Sequence, residues 1–68
     1  MHAEELGRVV EGVDAFLSQH PSLRNTPEAA AFDGYIVSLD PLRQPSLILP
    51  DHVEQAKQLA QKVYDLAH

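Results

Sequence analysis

The chain is organised by its last helical pattern, residues 51–67, which read DHVEQAKQLAQKVYDLA. Asp51 is placed to cap the first turn, and Glu54 stands three residues later, where a capping box has its second member. Apolar residues recur at helical spacing and fill one arc of about 160° on a helical wheel, which is typical of a helix that buries one stripe. The stripe contains Val53, Ala56, Leu59, Ala60, Val63, Tyr64, Leu66 and Ala67.

A second amphipathic pattern lies near the start of the chain, from Ala3 to Gln19. The pair His20-Pro21 ends it, because a residue before proline avoids the α region. Gly12 lies beside the apolar stripe and has two interpretations. Either it allows another helix to approach closely, or it is an exposed glycine that the helix tolerates. The stripe contains Leu6, Val9, Val10, Val13, Phe16 and Leu17.

The middle of the chain begins with a helix-start signal, Thr26-Pro27-Glu28. Threonine is a favoured N-cap, proline is favoured at the first helical position, and an acid suits the first turn. We predict a helix from Pro27 to Leu39, ended by Asp40-Pro41. On this helix Val37 points away from the apolar stripe.

An alternative for the same region is a β-hairpin. Asp33-Gly34 is a turn dipeptide, and residues 35–39 are rich in strand formers. The first strand would then pair with Ser46–Leu49 across a loop at 40–45. We favour the helix and keep an α+β domain with a hairpin over 35–49 as the alternative.

The predicted fold class is all-α, with one small domain over residues 1–68 and helices at about 3–19, 27–39 and 51–67. The connection between the second and third helices contains Pro41, Pro45 and Pro50, so it is not helical throughout. A core of this size rarely contributes more than about 3–5 kcal/mol. Contacts with another chain are therefore a natural way to bury more apolar surface.

Composition narrows the classes of partner. The net charge is −5 and the isoelectric point about 5.1, which argues against nucleic acid and against anionic membranes. No apolar run approaches the roughly 18 residues of a membrane-spanning helix. The acidic N-terminal residues do not resemble a signal peptide, and the chain has no cysteine. We expect a cytoplasmic protein.

Reactive side chains form no recognisable site. The sequence has four histidines, but no pair has the i, i+4 spacing of a helical zinc site. His2 and His20 are about 27 Å apart along the first helix, so they cannot share a metal. No glycine-rich phosphate loop or nucleophile elbow is present. We predict no catalytic residue, no metal and no cofactor, and hence no enzyme.

The sequence contains more apolar side chains than three short helices would bury. The run Leu47-Ile48-Leu49 either covers one end of the bundle or binds a partner in an extended conformation, and arginine is enriched at interfaces. The predicted partner-binding residues are Val37, Arg43, Leu47, Ile48, Leu49 and Tyr64.

These features predict a protein–protein interaction module, which acts as a regulatory subunit, adaptor or inhibitor by occupying a surface of its partner. The partner is another protein or a second copy of the chain, giving a heteromer or a homodimer. One alternative function is a structural module whose whole role is self-assembly. A second alternative is a small-ligand or metal-binding domain that uses the histidines.

Overall fold

The computed structural model describes residues 2–39, 43 and 45–67 of the chain. Every regular element in that part of the chain is helical: α1 (His2–Gln19), α2 (Pro27–Leu39) and α3 (Pro50–Asp65). Two short 3₁₀ turns, Pro21–Asn25 and Pro45–Leu47, lie in the connections. The predicted all-α fold is confirmed.

The alternative hairpin over 35–49 is wrong, because residues 35–39 continue α2. Tyr35, Ile36 and Leu39 pack against the core from one face of that helix, and this burial outweighs their preference for strands. The predicted stop at Asp40-Pro41 lies outside the described residues.

The start of α2 is capped as predicted. The backbone N–H of Ala29 donates to Oγ1 of Thr26 at 3.3 Å, and the Thr26 hydroxyl donates to the carbonyl of Leu23 at 2.6 Å. Pro27 occupies the first helical position, where its missing N–H costs nothing. The threonine therefore joins the preceding 3₁₀ turn to α2.

The start of α3 differs from the prediction. The helix begins at Pro50, so the capping position falls on Leu49 and not on Asp51. The backbone N–H of Leu49 donates to Nδ1 of His52 at 3.1 Å, so His52 takes the role that we assigned to Glu54. The φ angle of proline is fixed at a value that suits the first helical position. The helix therefore begins at Pro50, one residue before the predicted start at Asp51.

Burial confirms the apolar stripes as the source of the core. Leu6, Val13 and Val63 are the largest side chains that are fully buried. Both α1 and α2 make their main contacts with α3, and α3 presents small residues at Ala56 and Ala60. The buried core contains Leu6, Val13, Leu17, Ala29, Phe32, Ile48, Val53, Ala56, Ala60 and Val63.

The bundle has two distinct ends. Phe16, late in α1, contacts Tyr64, late in α3, so these helices run in the same direction and α2 runs back. The turn end is closed by Pro21–Asn25, which contacts both α1 and α2. The loop end contains the C-terminus of α2, the N-terminus of α3 and the 3₁₀ turn Pro45–Leu47 that precedes α3. None of the helices described is both long and apolar enough to cross a membrane.

Candidate interaction surfaces

Tyr64, a predicted partner-binding residue, has a clear role inside the fold. Its ring packs edge-on against Phe16, with ring centroids 5.0 Å apart and an interplanar angle of 89°. A Cβ atom added to Gly12 would lie 2.9 Å from the tyrosine hydroxyl oxygen. Gly12 is itself exposed, and the neighbour that a larger residue there would press on is the tip of the Tyr64 side chain, not the backbone of another helix.

Three large hydrophobic side chains are exposed at the loop end, and we call them the loop-end patch: Val37, Leu47 and Leu49. Their exposed fractions are 71%, 60% and 55%. Val37 lies near the end of α2, and the two leucines flank the start of α3. Arg43 lies in the same connection and is exposed. Four of the six predicted residues are therefore open to solvent at one end of the bundle.

Ile48 requires a correction. It was grouped with its neighbours as a partner-binding residue, but only 4% of its surface is exposed and it belongs to the buried core. The run Leu47-Ile48-Leu49 thus divides its side chains: Leu47 ends the second 3₁₀ turn, Leu49 is extended and precedes α3, and only Ile48 between them is buried. Ile48 covers the end of the core, which leaves the two leucines facing outward.

A groove between α1 and α2 was not predicted from the sequence. It has a volume of about 280 Å³ and arises because both helices pack mainly on α3. Its apolar lining comes from both helices, and its polar lining consists of two carboxylates and an arginine from the turn end. We call it the α1–α2 groove. It is lined by Val10, Val13, Asp14, Leu17, Arg24, Ala30, Phe32 and Asp33.

The charged rim of the groove is loosely organised. One guanidinium nitrogen of Arg24 lies 3.7 Å from a carboxylate oxygen of Asp14, and the two side chains are 47% and 73% exposed. The same nitrogen donates to Oγ of Ser18 at 3.2 Å. Asp33, on the opposite rim, is exposed and pairs with no cation among the described residues. An ion pair of this length in solvent is weak, so it does not close the groove.

Negative charge is concentrated on the two helices that border the groove. The α1 helix has four carboxylates and one arginine, and α2 has two carboxylates and no basic residue. The α3 helix is closer to balance, with three carboxylates and two lysines. The two helices that border the groove therefore carry more net negative charge than α3, and one carboxylate of each, Asp14 and Asp33, lines the groove itself.

Two of the histidines, His20 and His52, make local contacts. Nδ1 of His52 accepts the hydrogen bond that starts α3, and the His20 ring lies 4.6 Å from the Phe16 ring. Among the residues that the structure describes, no three histidine, aspartate or glutamate side chains are grouped closely enough to hold a metal ion. Buried side chains there are all hydrophobic, so the groove offers no desolvated acid or base for proton transfer.

Comparisons of the chain with protein-family models, with curated proteins and with solved structures found no match. Its function must therefore be inferred from its surfaces. The loop-end patch is apolar, whereas the α1–α2 groove is apolar at its floor and mainly acidic at its rim. The two surfaces are built by different segments, so each can be altered without the other.

Proposed function

We propose that this chain is a protein–protein interaction module, which binds a partner through the loop-end patch and acts without catalysis. The observation that carries the proposal is the exposure of Val37, Leu47 and Leu49 at one end of the bundle. Single exposed hydrophobic residues are ordinary, but a group of them at one place is typical of an interaction site. A regulatory subunit, an adaptor and an inhibitor all act in this way.

The patch is held in a defined conformation before binding. Ile48 is buried between the two exposed leucines, and Pro50 begins α3 directly after Leu49. A segment that is anchored in this way loses little conformational freedom when a partner covers it. Arg43, exposed in the same connection, supplies a charged group beside the apolar one, a combination that interfaces favour.

The energetic gain on binding is substantial for a chain of this size. Full burial of a valine or leucine side chain contributes about 1.5–3 kcal/mol, and more than half of each patch residue is still exposed. Three such residues would contribute an amount comparable with the whole core of a small domain, which is about 3–5 kcal/mol. A partner that covers the patch would therefore stabilise the fold as well as bind it.

A second copy of the chain is the other occupant that the patch would fit. An apolar patch is self-complementary when it lies across a two-fold axis, and a structural module that only self-assembles would use it in this way. We further propose that the protein acts in the cytoplasm, which the absence of cysteine supports.

The test uses a patch variant, Val37→Ser/Leu47→Ser/Leu49→Ser, and a control variant, Ala31→Ser/Gln55→Ser/Gln58→Ser. All six positions are exposed, so both variants should keep the helical circular-dichroism spectrum. Affinity capture from an extract of the source cells should recover a defined chain with the wild type and with the control, but not with the patch variant.

Sedimentation velocity of the purified proteins separates the two occupants. A self-assembling module gives a mass that rises with concentration in the wild type and stays monomeric in the patch variant. An adaptor or inhibitor stays monomeric until its captured partner is added. A wild type that is monomeric throughout, together with capture that the patch variant does not change, would contradict the proposal.

A further inference from the structure

We propose that the α1–α2 groove binds a basic segment of a partner protein. In this arrangement the stem of an arginine or lysine lies on the apolar floor, and its charged head lies between Asp14 and Asp33. The inference rests on the proposed function, since the occupant belongs to another protein. It goes beyond that function by assigning a second surface and the chemistry of the segment that fills it.

The size and lining of the groove suit one long side chain. Its volume of about 280 Å³ is at the lower end of the roughly 300–1,000 Å³ that is typical of small-molecule and cofactor sites. The floor is formed by Val13, Leu17 and Phe32, which are apolar and already packed. Long basic side chains cover such surfaces with their methylene groups while the charge stays in water.

The rim selects a positive charge. Asp14 and Asp33 come from facing helices and both line the groove. Arg24 shows that a guanidinium can reach this rim, because it lies 3.7 Å from Asp14. That contact is long and exposed to solvent, so an incoming arginine with closer, bidentate geometry would replace it at little cost.

The field of the protein favours the same occupant. The excess of carboxylates is on α1 and α2, the two helices that flank the groove. Net negative charge attracts a basic partner and repels nucleic acid, and Asp14 and Asp33 place part of that charge at the groove itself. A basic amphipathic segment satisfies both requirements, since it presents apolar contacts to the floor and positive charge to the rim.

The experiment is an NMR titration of the isotope-labelled full chain with a synthetic amphipathic helical peptide made of leucine, alanine and arginine. A second peptide has glutamate at every arginine position. Shift changes should centre on Val10, Val13 and Phe32 with the arginine peptide and be absent with the glutamate peptide. High salt should weaken the binding, because the attraction at the exposed rim is screened.

Variants of the rim give the quantitative test. We expect Asp14→Asn/Asp33→Asn to raise Kd by about three- to tenfold, which is the range expected for two exposed charge contacts. Asp51→Asn/Glu54→Gln removes the same charge from α3 and should change Kd by less than about twofold. Arg24→Ala removes the internal competitor and should tighten binding by about twofold, a gain that a damaged fold would not produce.

Several results would overturn the inference. Equal losses in the rim and α3 variants would show general attraction without a site. Shift changes centred on Leu47 and Leu49 would place the peptide on the other surface. Spermine giving the same shifts and affinity would indicate a small-cation site. The loop-end patch variant should bind the arginine peptide normally, so a failure here is distinguishable from a failure of the proposed function.

Discussion

The two sides of α1 differ in how completely they are closed. On the side facing α3, Tyr64 packs against Phe16 and reaches over Gly12, and Ala56 and Val63 are fully buried. On the side facing α2, a groove remains. In a small bundle, one interface can therefore hold most of the packing while the other stays open. Four pairs of variants test this comparison.

The largest effect should come from removing a core side chain. Leu6 is fully buried, and Leu6→Ala should lower the free energy of unfolding by about 2–5 kcal/mol. Because a core of this size rarely contributes more than about 3–5 kcal/mol, the variant should be largely unfolded even without urea, which circular dichroism would show. Leu49→Ala makes the same chemical change at a position that is 55% exposed and should cost less than about 0.5 kcal/mol. Similar losses in both variants would contradict the burial that defines the core.

The next effect compares the two sides directly by adding the same atoms to each. Ala56→Leu inserts three carbon atoms into the fully buried surface of α3 and should destabilise the protein by about 1–3 kcal/mol. Ala30→Leu adds them at the exposed lining of the groove, where there is room, and should change stability by less than about 0.5 kcal/mol. Thermal unfolding of the two variants gives the comparison. A large loss for Ala30→Leu would mean that the α2 side is closed as well.

Two glycines of α1 test the contact with Tyr64. Apart from its chain neighbours and the backbone of its own helix, Gly7 has no atom within 4 Å of an added Cβ, so Gly7→Ala should stabilise the helix by about 0.5–1 kcal/mol. Gly12→Ala should gain less than this or nothing, because Tyr64 would have to move and disturb its contact with Phe16. Combining Gly12→Ala with Tyr64→Phe should restore the gain, which a double-mutant cycle by urea unfolding would measure. Additive effects would show that the hydroxyl does not press on that position.

The smallest effect belongs to the rim of the groove. Arg24→Ala removes the 3.7 Å contact with Asp14 and should lower stability by no more than about 0.5 kcal/mol, since both partners are largely in solvent. Unfolding at high salt should reduce the difference further. Asp14→Asn serves as the matched change on the other partner. A loss above about 1 kcal/mol for either variant would show that the pair closes the open side.

The helices themselves could be predicted from local patterns. The boundaries of α1 and α2 agree with the sequence to within about one residue, a usual uncertainty for helix ends. The signals are strong because each stripe repeats over several turns. The end signals are also local: Thr26 caps α2 through a hydrogen bond with a residue three positions later, and proline restricts its own backbone. The predicted cap of α3, Asp51, is wrong because the prediction places Pro50 in the connection. Proline is favoured at the first helical position, and the observed helix begins there, with Leu49 at the capping position.

The exposed apolar side chains could be predicted from the sequence only in part. The exposure of Val37 could be predicted, since its position on the wheel of α2 points away from the stripe. Leu47, Ile48 and Leu49 could not be separated, because three consecutive apolar residues in an irregular segment have no period. Which one is buried depends on where the connection crosses the end of the bundle, and the structure places Ile48 there.

The local pattern of residues is sufficient to specify three helices that bury their apolar stripes, because helical periodicity and end signals are local properties of the chain. The packing of α1 and α2 on α3 follows only from the folded structure. That structure brought Gly12 beneath Tyr64, turned Ile48 inward between two exposed leucines, and left a groove whose rim joins Asp14 to Asp33. Those relations depend on distances between residues far apart in the chain, and no local pattern encodes them.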